Sequence, residues 1–475
     1  MSNTSTDKAK TLPTASNRYA SPTITRRNFL RLSGATAAAV ALGMPTLLRA
    51  QGVNSKLNVG FIGLGGQGRS RLDEILGCNV NVVALCDVDE HQLAEAKKAV
   101  EKTSFTPNLY VDYRELLATQ KELDAVVIAT PDHWHALIAM AALKANKHVF
   151  CEKPLTHTLE EARELRNLVR LKKQLVTQMG NQGSASPNMR RGIEVIQGGA
   201  LGRINEVHCW VKNGAGCHAG LAQPTVGDAV PAGLHWDAWV GPAPFRVYKQ
   251  DYYHTWNWRG WYDFGSGVMG DFGCHALNLP FRALKLDYPR RIEAQGVLTG
   301  LPTYSAQNRI RYQFAQRGDL APVEVHWYDE GVMPGSDILP ASLVEGLGEA
   351  PTNGVLMVGE NGFTFGNAWT GSDYIQLKDE KKISGILNHA ATKSIAESLP
   401  RSPGHMKEWV EACMGGPATF SDFERGGHLT EIALSGVVAL KLQEPIDWNG
   451  ETMRAANAPE AKKFIESHYR TGWKI

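Results

Sequence analysis

The chain has 475 residues, too many for one ordinary compact domain and suited to two. Its 50 basic and 48 acidic residues leave a formal charge of +2, which carries no polyanion signature and sets a nucleic-acid partner aside. Hydrophobic residues make up 43% of the chain, enough for sizeable cores, yet no window reaches the ~18 apolar residues that a membrane helix needs.

Residues 1–22 are rich in Ser, Thr, Asn and Ala, the composition of a disordered segment. "TRRNFLRLSGATAAAVALGMPTLLRA" follows, with Arg26 and Arg27, then Phe29 and Leu30, then a short apolar run of small residues. Charge followed by an apolar run is the plan of an export signal, and this one resembles a twin-arginine signal. The alternative is a surface amphipathic helix. Cleavage near Ala50 fits, although Leu48 is bulky for a small-x-small site, and retention as an uncleaved anchor is the other outcome. The resemblance implies a periplasmic or exported protein, with the twin-arginine machinery as a partner. Residues 1–50 are thus set apart from the fold.

"LNVGFIG", residues 57–63, reads as a buried strand, and "GLGGQG" continues it with Gly63, Gly65 and Gly68 in G-x-G-x-x-G register. "RSRLDEIL" then reads as a helix with Leu72, Ile75 and Leu76 on one face. A second strand, "VNVVALCDVD", reaches Asp87, nineteen residues after Gly68. Each residue has its own reason. Gly63 permits the tight turn, Gly65 admits a pyrophosphate to the backbone, and Gly68 lets helix and strand pack closely. The turn from Gly63 through Gly66 and Gln67 opens a helix whose N-terminal N–H groups suit phosphate. Asp87 accepts from the adenosine ribose hydroxyls and repels a 2′-phosphate, and "VDEH" brings no arginine to offset that. NAD is favoured over NADP. The alternative is a plain glycine turn with Asp87 as a helix cap.

Strand and helix keep alternating. "KELDAVVIATPDHWH" holds a strand over residues 125–129 that breaks at Thr130 and Pro131, and "ALIAMAALKANK" is a helix. "KHVFCEKP" is the next strand, and "TLEEARELRNLVRLKK" is an amphipathic helix with Thr158 and Glu161 at capping-box spacing. "QLVTQMGN" closes the series as a strand. Strict alternation implies a parallel sheet, whose ligands gather beyond the strand C-termini. The glycine turn, Asp87, Thr130 to His135, and Glu152 with Lys153 all fall at those ends.

"GFIGLGGQG", "CDVD", "ATPDHWH" and "CEKPLT", in this order and spacing, resemble the glucose–fructose oxidoreductase, inositol dehydrogenase and MocA family (Gfo/Idh/MocA). The resemblance implies an N-terminal Rossmann NAD-binding domain, residues 51–180, and a C-terminal α+β domain, residues 181–475. It implies that Lys153 sits beside the nicotinamide and hydrogen-bonds the reacting hydroxyl, with its pKa pushed down by the oxidised ring. Thr130, Pro131, His135 and Glu152 take the family's cofactor-wall positions. His133 and His135 also form an H-x-H that suits a metal pair, but no third ligand is near, and no metal is expected.

From about residue 181 the alternation lapses. "RIRYQFA", "APVEVHWYDEG" and "GVLMVGENGFTFG" read as antiparallel strands, with Asn361-Gly362 as a hairpin turn. The resemblance implies an open, mostly antiparallel sheet used in homo-oligomer formation. "HLTEIALSGVVALKLQ" reads as an amphipathic helix. Trp210, Trp236, Trp239, Trp256, Trp258 and Trp261 either stack on sugar rings or form a local aromatic core, and each reading fits some of them. Trp258 and Arg259 are candidate substrate contacts. In "GDFGCH", Asp271 and His275 lie four apart and share a helix face. A carboxylate orienting an imidazole makes a general base, and the family's Asp-x-x-x-His pair matches here. The alternative makes Asp271 a helix cap. Asn278 stands where many relatives carry an acid.

Cysteines 78, 86, 151, 209, 217, 274 and 413 form no CxxC pair, and their odd number speaks against a full disulfide framework. Cys209 and Cys217 could pair, but free thiols suit a protein that folds before export.

The expected chemistry is hydride transfer from a secondary hydroxyl of a sugar, glycoside or cyclitol to NAD. Lys153, Asp271 and His275 are its catalytic candidates, and substrate is held by Lys153, Trp258, Arg259 and His275. No NAD(H) pool exists outside the cytoplasm, so the cofactor is expected to be tightly bound and reoxidised in place. The alternatives are an NAD-dependent glycoside hydrolase or lyase acting through transient oxidation, and a sugar-binding protein without catalysis.

Overall fold

The computed structural model describes residues 56–103, 105–214, 220–298 and 300–474. The signal and Cys217 lie outside the described residues.

Six strands form the first sheet: β1 Leu57–Ile62, β2 Val80–Cys86, β3 Asn108–Tyr110, β4 Ala125–Ile128, β5 His148–Cys151 and β6 Thr177–Met179. All pair in parallel, in the order β3-β2-β1-β4-β5-β6. β4 and β5 are buried at every position, because helices cover both faces. The chain reverses direction across the sheet between β1 and β4, which opens a crevice above their C-terminal ends.

One face packs Val59, Phe61, Val127 and Phe150 against Leu72 and Ile75 of the helix Gly66–Leu76. The same face takes Met406, Trp409 and Val410 from the helix His405–Cys413. A helix from late in the chain therefore completes a core that begins at residue 57. The other face packs Val126, Ile128 and Val149 against Ile138 of the helix Asp132–Lys144 and Leu165 of Leu159–Leu171. That last helix starts with the expected capping box, formed by Thr158 and Glu161.

The second sheet has ten strands: β7 Ile204–Val211, β8 Arg291–Val297, β9 Ala306–Phe314, β10 Val323–Asp329, β11 Asn353–Gly359, β12 Gly362–Gly366, β13 Tyr374–Leu377, β14 Ser384–Gly385, β15 Ile446–Asn449 and β16 Arg454–Ala455. Their order is β14-β13-β12-β11-β7-β10-β9-β8-β15-β16. β7 and β10 run parallel and the other pairs antiparallel, so the sheet is mixed but mostly antiparallel. The hairpin turn is Glu360-Asn361 rather than Asn361-Gly362, since Gly359 pairs with Gly362. Gly362 takes φ +145°, a value open to glycine.

The helix Phe423–Leu442 corrects a second expectation: it is buried on nearly all sides rather than amphipathic. Small residues permit this. A Cβ on Gly427 would lie 2.6 Å from Arg166 Cγ, and one on Gly436 2.0 Å from the Tyr312 hydroxyl. Cys78, Cys86, Cys151, Cys209, Cys274 and Cys413 are free thiols. Among the described residues no helix is long and apolar enough to cross a membrane.

Candidate active site

A cavity of about 630 Å³ lies over the C-terminal ends of β1 to β5. It begins at the glycine turn. Gly63 has φ +88°, and a Cβ there would stand 2.7 Å from the Ala129 carbonyl. On Gly68 a Cβ would stand 2.1 Å from Gly63 O, so only glycine lets the helix Gly66–Leu76 sit so close to the loop. Gly65, the residue before that helix, faces open space, with nothing nearer than Gln92 at 3.8 Å. The tight turn, the open cradle and the close helix contact thus fall on three separate glycines.

Asp87 follows β2 and braces the same turn. Its Oδ2 accepts from Leu64 N at 2.6 Å and its Oδ1 from Asp89 N at 2.9 Å. Burial pushes its pKa up to about 6 against these hydrogen bonds. The helix-cap alternative falls, because Asp89 caps the helix Glu90–Val100.

Thr130, Pro131 and His135 follow β4 and line the cavity. The His135 Nε2 is 2.8 Å from Thr130 O and its Nδ1 2.7 Å from Pro154 O, so the ring ties the loops after β4 and β5 together. Burial lowers its pKa to about 4. His133 likewise lies between the carbonyls of Phe264 and Trp239, at 3.2 Å each. Both rings face backbone carbonyls, and no group of three or more His, Cys, Asp or Glu placed to hold a metal ion occurs among the described residues.

Glu152 and Lys153 follow β5. Glu152 is buried beside Gly180, with Arg71 Nε at 3.5 Å, and burial raises its pKa to about 7. Neither of its oxygens has a well-formed hydrogen bond, and the buried Thr130 Oγ1 has no partner. An open glycine cradle, an acid beyond β2 and unpaired polar atoms along one wall suit a bound dinucleotide with its own donors and acceptors.

The largest correction concerns Asp271, which pairs with Lys153. The Lys153 ammonium donates to Asp271 Oδ1, and the two side chains are 15% and 12% exposed. Burial lowers the lysine pKa, but the Asp271 charge and hydrogen bond outweigh it and raise it. Asp271 also lies 3.6 Å from Arg259 Nε. It therefore serves two cations and does not orient His275, whose Nδ1 is buried without a partner. Nor does Asp271 cap a helix, since it lies inside Gly267–Ala276. His275 still lines the cavity one helical turn on. Burial, then the Lys153 charge, lowers its pKa to about 3, which keeps the ring neutral.

The aromatic segment divides. Trp236, Trp239, Trp258 and Trp261 pack with Tyr253 and Phe264 as a core, and Trp239, Trp256 and Trp258 also line the cavity. The Arg259 guanidinium lies 4.2 Å from the Trp256 ring centroid and 4.3 Å from that of Trp258. Trp210 is elsewhere, donating to Pro351 O in another core. Asn278 also stands outside the cavity, donating to Ser184 Oγ and accepting from Arg282 Nε. Sequence reasoning missed Trp369 and Trp473, two isolated aromatics in loops that line the cavity.

Comparison with known proteins agrees with this architecture. Residues 57–180 match the family model described as an oxidoreductase family NAD-binding Rossmann fold, residues 216–318 match its C-terminal alpha/beta domain, and residues 23–43 match the twin-arginine signal sequence. The signal directs export to the periplasm. A glycosyl hydrolase family 109 protein from Shewanella sp. (strain ANA-3) is 35% identical over 165 residues, covering 30% of this chain and 36% of that protein. Inositol 2-dehydrogenase from Salmonella typhimurium is 30% identical over 154 residues, covering 32% of this chain and 45% of that protein. The matched region thus spans less than half of either relative. The WlbA dehydrogenase from Bordetella pertussis, solved with NADH and UDP-GlcNAcA, shares the fold with a TM-score of 0.57 at 16% identity, covering 83% of this chain and 99% of that one. With its nucleotide-binding sheet, its mixed second sheet and its signal all matched, the chain belongs to the Gfo/Idh/MocA family of NAD-binding oxidoreductases.

Proposed function

We propose that this protein oxidises a secondary hydroxyl of a sugar, glycoside or cyclitol, using NAD that stays bound and is reoxidised in place by returning the hydride to the carbonyl of a second sugar. The observation that carries the reading is the Lys153–Asp271 ion pair at the β5 end of the cavity, with His275 one helical turn away and tryptophans around it.

NAD is preferred to NADP because Asp87 puts a carboxylate at the ribose position, and Arg114, a cation on that side of the cavity, is committed to Asp112. When bound, the nicotinamide supplies the hydride acceptor. The chain supplies position and charge. Lys153, kept protonated by Asp271, donates to the substrate oxygen and stabilises the negative charge that develops there. His275 is neutral, so a ring nitrogen is available for the hydroxyl proton. Trp256, Trp258 and Trp369 offer apolar faces to a sugar ring, and Arg259 holds Asp271 from the far side. Association of copies through the second sheet belongs to the same reading.

A second reading has one specific support, the family 109 glycosyl hydrolase relative. Transient oxidation of a sugar carbon makes a neighbouring C–O bond labile, and the same residues would serve that step. One experiment separates the two. The purified protein is denatured and its released nucleotide identified, and native protein is incubated with glycosides followed by mass spectrometry. A product two mass units from its substrate supports the oxidoreductase. Net hydrolysis supports the second reading, and absence of both nucleotide binding and conversion overturns both.

A further inference from the structure

We propose that the segment 466–474 anchors Trp473 in the wall of the nucleotide site, with its ring contacting the adenosine end and slowing release. This rests on the cofactor reading above.

The cavity follows the strand order. Lys153 lies at its β5 end, the glycine turn over β1, and Asp87 beyond β2. Past Asp87, away from Lys153, come the residues after β3, and Trp134 of the helix Asp132–Lys144 reaches them, its ring centroid 5.8 Å from that of Tyr113. Val111, Arg114, Trp134 and Ile138 line that end, and Trp473 lines it with them, more than 300 residues later in the chain. An apolar wall with an indole ring and no uncommitted charge suits a purine.

Trp473 is held from several sides. Its ring stands edge-on to Trp134, centroids 4.9 Å apart at 86°. The Arg114 guanidinium carbon lies 4.7 Å from its centroid, and Arg114 is itself fixed by paired hydrogen bonds to Asp112. The backbone before it is pinned along its length. Ser467 N donates to Glu160 Oε2 at 2.8 Å, and the Tyr469 hydroxyl to Glu161 Oε1 at 2.6 Å. Arg470 Nη1 donates to Asp237 Oδ1 at 2.6 Å, and Arg470 N to Pro242 O at 2.8 Å. Trp473 N donates to Arg470 O at 3.1 Å, which links the ring to that anchor. The anchors Glu160 and Glu161 belong to the helix Leu159–Leu171, and Asp237 to the helix Trp236–Val240, which itself lines the cavity. A purine in contact with the ring must break that contact to leave.

The test is a chase. Full-length protein loaded with isotopically labelled NAD is diluted into excess unlabelled NAD, and loss of label is timed for the parent, Trp473→Ala, Trp473→Phe and Arg470→Ala. Base–aromatic contact of this kind makes Trp473→Ala release roughly ten- to hundredfold faster. Trp473→Phe keeps a ring and stays near the parent rate, and Arg470→Ala falls between. Release from Trp473→Ala at the parent rate overturns the inference while leaving the cofactor reading intact. Equal acceleration in Trp473→Phe and Trp473→Ala also overturns it, since the ring would then not be the contact. A parent protein that takes up no labelled NAD overturns the cofactor reading and the inference together.

Discussion

Lys153 and Asp271 are joined across 118 residues of sequence, the ammonium in the loop after β5 donating to a carboxylate inside the helix Gly267–Ala276. One member gives the cavity a positive charge at its β5 end, and the other keeps that charge in place. Lys153→Met is expected to lower kcat by about 10²-fold or more, and Asp271→Asn to lower it as well. The double variant should lose less than the product of the two, because the residues act as a unit. Lys153→Met also leaves the buried Asp271 carboxylate with only Arg259, 3.6 Å away, so urea melts should show it about 1–3 kcal/mol less stable, with the double variant partly restored. Additive losses in kcat would sink the idea that they work as a pair.

Gly65 and Gly68 separate binding from folding. Gly68→Ala drives a Cβ to 2.1 Å from Gly63 O and should cost about 3 kcal/mol or more in thermal or urea unfolding. Gly65→Ala meets nothing within 3.8 Å, so its stability should change by less than about 1 kcal/mol. Its nucleotide affinity should nevertheless fall about tenfold, measured by calorimetric titration, because the added methyl occupies the phosphate cradle.

Asp87→Asn tests cofactor choice. The amide oxygen still accepts from one backbone N–H, while the charge that repels a 2′-phosphate is gone. The ratio of NADP to NAD affinity should rise by about tenfold or more. An unchanged ratio would place discrimination elsewhere in the cavity.

His148 gives a pH prediction away from the site. It is buried at the start of β5, and its Nδ1 accepts from Val176 N at 2.8 Å, which requires an unprotonated nitrogen. Burial lowers its pKa to about 4 from an unfolded value near ~6.5. The unfolded chain therefore binds the extra proton first. This contribution is complete above about pH 6.5 and is lost as pH falls toward 4, by at most about 1.4 kcal/mol per pH unit. Urea melts at pH 7 and pH 5 should show a smaller acid loss for His148→Asn than for the parent.

The nucleotide half was legible because its signals are local. A buried strand, three glycines and an acid at set spacing fix a turn whatever happens elsewhere, and Gly63, Gly65, Gly68 and Asp87 stand where that pattern puts them. β3 escaped notice because "NLY" is short and half exposed. The pairing of Asp271 was misjudged for a different reason. Spacing of four residues says that two side chains share a helix face, but not which distant charge competes for one of them. Lys153 does, and His275 is left without that bond. Trp369 and Trp473 could not be read at all, since a single aromatic in a loop has no periodicity and acquires its role only through tertiary contact. The helix Phe423–Leu442 was misread because polar residues that suggest a solvent face are buried: Thr430, Glu431 and Ser435 all lie inside, Glu431 accepting from Arg163 and Arg166.

The helix His405–Cys413, which seals one face of the nucleotide-binding sheet, bears on the order of biosynthesis. A ribosome makes residues 57–180 long before it makes Met406, Trp409 and Val410, so until then that face has only the earlier helices, Leu72 and Ile75 among them, over Phe61, Val127 and Phe150. The face is completed only near the close of translation, and a leader of the twin-arginine kind hands over a passenger that has already folded. On the reading proposed above, a nucleotide carried across the inner membrane would therefore be taken up in the cytoplasm.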